Sequence, residues 1–195
     1  MEKKEDIAGI ERIIGYHFFE PQHLIRALTH PAYANELIQQ NRICLTQEAY
    51  STLGDAVLKT SLILFLMEKG IQDKGTITQT KEQLEDNYSL ARIGHRMKIK
   101  RFIRLGHGAK DLWRSGEDTI LADTMEAIIG AIFLDSDAGL GVVRQCIGTW
   151  FEPELARVKR DELPKKKEKI KPRPFSTSRR AAPRGTSRPS PQRSR

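Results

Sequence analysis

Apolar residues recur at three- and four-residue spacing from residue 7 to about residue 155, and no run of alternating β-branched positions is long enough for a strand. The pattern predicts an all-α body. Helices are expected near 7–14, 21–29 and 33–40, with Pro21 suited to a first helical turn. After a polar loop at 40–45, a long central helix is predicted over 46–69, stopped by Gly70 in the left-handed region. Further helices are expected over 76–95, 98–103, 118–134 and 138–155, with Asp118 and Asp137 as amino-terminal caps. Past Lys159 the period ends. Residues 159–195 hold six of the nine prolines and almost nothing apolar, which predicts a body over 1–158 and a disordered tail over 159–195.

The chain has 195 residues, 38% of them apolar, enough for one domain of ordinary size. Its formal charge of +8 is unevenly distributed: residues 159–195 carry 14 Lys and Arg against 3 Asp and Glu, so the body is mildly acidic. A basic tail on an acidic body suits phosphate partners, such as RNA, DNA or a membrane surface. The longest apolar stretch, 56–67, is interrupted by Lys59 and falls short of the roughly 20 residues of a membrane span. The charged amino terminus lacks the apolar core of a signal peptide, and a cytoplasmic location is expected. Cys44 and Cys146 lie far apart, without ligand spacing, and are expected to be reduced and buried.

Two groups of acids carry the candidate chemistry. Glu48, Ser51 and Asp55 fall on one stripe of the long helix, and Gly54 leaves room for close approach. Asp123 and Glu126 form an i, i+3 pair in an otherwise apolar helix, where a bare charge is costly. If these helices pack face to face, Asp55, Asp123 and Glu126 converge into an oxygen-rich pocket suited to Mg²⁺ or Mn²⁺, with Glu48 a turn or two away. Spacing alone equally allows Asp55 to cap or pair with a Lys or Arg, and Asp123 to be an ordinary ion-pair partner. A ferritin-like di-metal bundle is excluded, because it needs His three residues after Glu and the chain has Ser51 and Ile129 there.

Two motifs at family-like separation carry a resemblance. QEAYSTLGDAVL (47–58) resembles the ribonuclease III signature NERLEFLGDAVL, and LADTMEAIIGAIFLD (121–135) resembles that family's second acidic motif, LADxxEAxxGAxxLD. ALTHPAYANE (27–36) and KGTITQTKEQLEDNYSLARIG (74–94) are similar to two further family segments, so the likeness spans about residues 8–150. It implies a homodimeric, all-helical endonuclease domain that cuts double-stranded RNA with metal-activated water. By position, Asp55, Asp123 and Glu126 match metal ligands, Asp55 and Glu126 are the expected catalytic carboxylates, and Glu48 matches the first signature Glu as a supporting acid.

The chain also departs from the pattern. The second signature Glu, a family metal ligand, is Ser51, and the following Phe, which packs across the family dimer, is Thr52. Serine can still ligate through its hydroxyl or a water but brings no charge, so affinity for one ion is expected to fall, which leaves one or two metals per site open; the short mini ribonuclease III class also lacks a carboxylate there. Where standard enzymes continue into a double-stranded-RNA-binding domain, this chain continues into the basic tail. Lys165, Lys166, Lys167, Arg179 and Arg180 are the expected RNA contacts there. The alternative expectation is a catalytically impaired module of the same fold that binds structured RNA or the ribosome without cutting. A purely tail-driven membrane or nucleic-acid binder leaves the embedded carboxylates unexplained.

Other features read as structural or ambiguous. The basic run 91–110 is either a solvated face or a phosphate contact, and GHGAK (106–110) lacks the spacing of a nucleotide loop. His30 reads as a structural residue near a helix carboxyl end, and Trp113 and Trp150 as packing residues.

Overall fold

Where a helix buries one stripe it lies at the surface of the bundle, and where it buries nearly all sides it becomes the axis. The structure, a computed structural model, describes residues 6–106, 108 and 110–162. Among these the chain is helical, with one isolated parallel bridge between Thr29 and Arg104. The helices are α1 (Ile7–Ile14), α2 (Pro21–Ala27), α3 (Pro31–Ile38), α4 (Glu48–Glu68), α5 (Lys74–Glu85), α6 (Asn87–Arg96), α7 (Lys110–Asp135) and α8 (Leu140–Glu162), with a short 3-10 turn at Ile99–Phe102.

α4 buries Tyr50, Gly54, Val57, Leu58, Ser61, Leu62, Phe65 and Leu66, a face repeating every three to four residues. By length and composition alone α4, at 21 residues, is long and apolar enough to cross a membrane, unlike the shorter stretch read from the sequence. The apolar length is instead packed against α7, α8 and α5. α7 is the axis: from residue 120 to residue 132 every position is buried except Asp123 and Glu126. The two helices meet where a Cβ at Gly54 would overlap the Glu126 carbonyl, and one at Gly130 the Tyr50 carbonyl. Paired glycines thus let the two backbones touch.

Several boundaries differ from those the pattern predicts. The expected 76–95 helix is two, because Asp86 adopts an extended backbone (φ −67°, ψ 152°) and accepts the Ser89 N–H at 2.6 Å as the cap of α6. Asp118 falls inside α7. α7 already begins at Lys110, passes a non-helical Gly116, and leaves the Asp118 carboxylate 3.3 Å from His95 Nε2. Asp137 lies with Ala138 in a left-handed turn (φ 53° and 58°), and α8 starts only at Leu140 and runs to Glu162. Gly70 does take the left-handed conformation after α4 (φ 81°). Cys146 is buried but Cys44 is only partly so, since it lies in the loop before α4; both are free thiols.

Two polar pins fasten α1 and the loop after it. Trp150 Nε1 donates to the Ile14 carbonyl at 3.0 Å, while Asp135 accepts from Tyr16 OH (2.7 Å), Phe19 N (2.9 Å) and Glu20 N (2.8 Å). A third knot joins α6 to α8. Glu154, 1% exposed, receives Arg96 at 2.8 Å, Arg92 at 3.1 Å and Arg157 at 3.2 Å. Two cations of the basic run are thereby committed inside the fold. Burial works to raise the Glu154 carboxyl, but the hydrogen bonds from Arg96, Arg157 and Arg92 outweigh it and hold the group below its ordinary value.

A depressed carboxyl contributes stability above its unfolded value and loses that contribution as pH falls through the folded one. Glu154→Leu is expected to destabilise the fold by about 2 kcal/mol at neutral pH, less than a fully buried pair because the arginines reach water. The difference from the unmodified protein should shrink below about pH 4, where free glutamate protonates. Chemical denaturation across pH 3–7 checks this, and a constant difference would contradict it.

Candidate active site

The glycine contact between α4 and α7 sets the acidic residues opposite one another. Ser51 and Asp55 project from α4, and Asp123 and Glu126 from the otherwise buried middle of α7. Ser51 Oγ donates to Glu126 Oε2 at 2.7 Å, bridging the helices. Lys59 Nζ donates to Asp55 Oδ2 at 2.7 Å, so the pairing the sequence left open for Asp55 is realised one turn along α4.

The electrostatics show how closely these groups share one region. Burial raises the Glu126 carboxyl; Ser51 and Lys59 favour its charged form, whereas Asp55 and Asp123 push the same way as burial. Burial likewise raises Asp123, opposed by His30. Burial lowers the His30 imidazole against the pull of Asp123 and Glu48. Glu48 itself is exposed at the rim and accepts from Thr46 Oγ1 at 2.8 Å. Among the described residues, no three His, Cys, Asp or Glu side chains stand close enough to hold a metal ion as placed. Asp55 and Glu126 are each engaged through one oxygen, by Lys59 and Ser51.

His30 is a correction to the sequence reading. It sits at the amino-terminal end of α3, not a carboxyl end, and its Nδ1 accepts the Ala32 N–H at 3.1 Å. A neutral imidazole that accepts at Nδ1 carries its proton on Nε2. The start of α4 is fixed by Gln47, whose N–H donates to the Thr29 carbonyl (2.9 Å) and whose Oε1 accepts from Thr124 Oγ1 (3.3 Å). Three more cations of the basic run are engaged: Lys100 reaches Glu117 (3.2 Å) and the Trp113 ring, Arg101 lies over Phe102, and Arg104 over Tyr33. Trp150 packs in the core as expected, and Trp113 is partly buried against it. Lys165, Lys166, Lys167, Arg179 and Arg180 lie outside the described residues. Sequence reasoning missed Lys59 as a site residue, although its i+4 spacing from Asp55 was a usable signal.

An all-helical bundle with opposed acids on its two central helices defines the nuclease-domain class that the motifs suggested. The ribonuclease-III-like family profile matches residues 20–155, and the chain belongs to that family. Ribonuclease 3 of Idiomarina loihiensis is 32% identical over 156 residues, covering 80% of this chain and 63% of the relative. Ribonuclease 3 of Carboxydothermus hydrogenoformans is 30% identical over 167 residues, covering 82% and 68%. The chain thus spans about two thirds of these relatives. The nuclease domain of Campylobacter jejuni ribonuclease III, described for flexibility in its dimer-forming region, matches with a TM-score of 0.65 at 27% identity, covering 76% of this chain and 97% of that domain.

Proposed function

We propose that the protein is a divalent-metal-dependent endoribonuclease that cuts double-stranded RNA as a homodimer. The observation that carries this reading is the half-buried Glu126, which burial and the neighbouring Asp55 and Asp123 disfavour as an anion, built where two backbones touch. Repulsion among desolvated carboxylates is relieved by a hard cation, and oxygen donors of this kind suit Mg²⁺, with Mn²⁺ able to substitute. Asp55, Asp123 and Glu126 would hold the ion, with Glu48 as a supporting acid at the rim. When bound, such an ion lowers the pKa of attacking water and neutralises charge on the leaving oxygen.

The chain's own residues prepare that step. Ser51 fixes one oxygen of Glu126, and Lys59 fixes one of Asp55. In the hydrolysis, water adds to phosphorus and gives up a proton, the phosphorus–oxygen ester bond breaks, and the departing oxygen takes up a proton. No side chain needs to act as nucleophile. For the dimer, the outer face of α4 is available: Thr52, Ala56, Ile63 and Met67 are exposed along it.

The test is cleavage of a labelled long RNA duplex with Mg²⁺, with Mn²⁺ and with chelator. Cutting that the chelator abolishes is expected, and salt-sensitive binding without cutting would replace this reading with that of a non-cleaving module. We further propose that the basic tail recruits substrate. Removing residues 159–195 is then expected to weaken duplex binding at least tenfold at low salt, to flatten its salt dependence, and to leave cleavage at saturating RNA within a few-fold. Equal affinity with and without the tail would remove that role.

A further inference from the structure

Among the described residues eight large hydrophobic side chains stand exposed, and five of them lie within residues 38–67: Ile38, Ile43 and Leu45 between the end of α3 and the start of α4, and Ile63 and Met67 on the outer face of α4. Ile43 is 98% exposed and Leu45 62%. Such a concentration marks a surface that something covers. Both ends of the loop are fixed. The Arg42 N–H donates to the Leu37 carbonyl at 3.0 Å, folding the chain back on α3. At the other end Arg26 Nε donates to the Thr46 carbonyl at 3.0 Å while its guanidinium lies 4.3 Å over the Tyr50 ring, and Thr46 Oγ1 donates to Glu48. At about 100° per residue Glu48 and Tyr50 lie on opposite sides of α4, so Thr46 straddles the helix end, with exposed Ala49 between them.

The outer face of α4 carries a pattern complementary to itself. Ala49, Thr52, Ala56, Thr60, Ile63 and Met67 are exposed along it at three- and four-residue steps. With Leu45 before them, the series is small around Ala56 and large at its two ends. A two-fold axis perpendicular to α4 at Ala56 runs two copies of the helix antiparallel, and sets Thr52 opposite Thr60 of the second copy, Ala49 opposite Ile63, and Leu45 opposite Met67. Small residues at the centre let the helices approach. The helix is too narrow to hold two chains by itself. Its 21 residues, at 1.5 Å rise and about 10 Å width, offer about 300 Å², against about 800 Å² on each partner of a stable interface. The missing area has to come from a neighbouring segment, and the loop holds the most exposed apolar side chain of all. Residues 37–47 contain no Asp or Glu, so the acidic body of a second copy meets no like charge there. Branched aliphatic side chains offer no hydrogen bond to a phosphate or a 2′-hydroxyl, which speaks against RNA as the occupant.

We propose that the loop over residues 38–46, centred on Ile43 and Leu45, is the edge that a second copy of this chain covers, completing a dimer begun by the outer face of α4. The inference rests on the homodimer reading above and names the surface that makes the dimer stable. Arg26 then acts as a positioning residue, holding the loop in the shape the second copy meets.

Sedimentation velocity of the RNA-free full chain tests this. The unmodified protein is expected to be dimeric at micromolar concentration. Ile43→Glu and Leu45→Glu should each weaken the dimer by about 30-fold or more, with unchanged far-ultraviolet circular dichroism, because both side chains already face water. Phe19→Glu, at a side chain 81% exposed on another part of the body, should leave the dimer intact. A mixture of Leu45→Glu and Met67→Lys chains should recover the association that neither shows alone, since the two-fold sets these positions opposite one another; failure to recover it overturns the pairing. Glu variants at 43 and 45 that dimerise like the unmodified chain overturn the proposal while the homodimer reading stands, and loss of duplex binding in those variants would assign the loop to RNA. Equal weakening by Phe19→Glu overturns it as well. A chain that is monomeric at every concentration overturns both the proposal and the homodimer, and leaves duplex cleavage to be decided by its own assay.

Discussion

Glu126→Gln is expected to lower cleavage of duplex RNA by about 10³-fold while raising, not lowering, the melting temperature of the metal-free protein. The two effects have one cause. Glu126 is disfavoured as an anion by burial and by Asp55 and Asp123, so a neutral isostere relieves strain that the ionised side chain imposes at neutral pH. The amide oxygen can still accept the Ser51 hydroxyl, so the bridge between α4 and α7 survives. What is lost is the charge that draws a cation and stabilises the reaction, and a single electrostatic contact of that kind is worth about 10²–10³ in rate. Asp55→Asn should act in the same direction on cleavage. Rates under single-turnover conditions and thermal melts with and without Mn²⁺ check the pair of effects; a Gln variant that cuts normally would falsify the assignment of Glu126.

The second large effect is steric. Gly54→Ala is expected to destabilise the protein by about 3 kcal/mol or more, because the added Cβ would strike the Glu126 carbonyl group and stand 3.0 Å from the Gly130 nitrogen. Those neighbours are main chain and cannot rotate aside, so the helices must separate. Separation pulls the Asp55 side of the site away from Glu126, and activity should fall even in the fraction that remains folded. Gly130→Ala meets the Tyr50 carbonyl in the same way. Gly148, in the middle of α8, has nothing within 4 Å of its Cβ position. Gly148→Ala is therefore expected to stabilise by about 0.5–1 kcal/mol through helix propensity alone. Urea denaturation of the three variants gives the comparison, and equal effects at 54 and 148 would show that the helix contact is not as close as described.

Much of this was legible in the sequence, and the limits have physical reasons. The class of fold followed from periodicity, and Asp55, Asp123 and Glu126 stood out because charge inside an apolar helix has to be explained. Gly54 was recognisable as a point of close approach, but its counterpart Gly130 looked like any small residue until the helices crossed. Helix ends were harder to read. The apolar period runs unbroken from α5 into α6, so only the capping geometry of Asp86 separates them. Asp137 has a cap's chemistry but takes a left-handed conformation with Ala138, and no local pattern distinguishes the two outcomes. Lys59 was visible as an interruption in an apolar stretch, whereas its contact with Asp55 explains why a cation sits there.

The pins on α1 also constrain how the protein can be made. Ile14 waits for Trp150 and Tyr16 waits for Asp135, contacts that span 136 and 119 residues. A ribosome delivers the amino-terminal helix first, but its docking partners emerge near the end of the described chain. The Ile14 carbonyl and the Tyr16 hydroxyl therefore lack these partners through most of synthesis, so the pins on α1 close late. Until α7 and α8 have been made, α1 and the loop after it are without the two polar contacts that hold them.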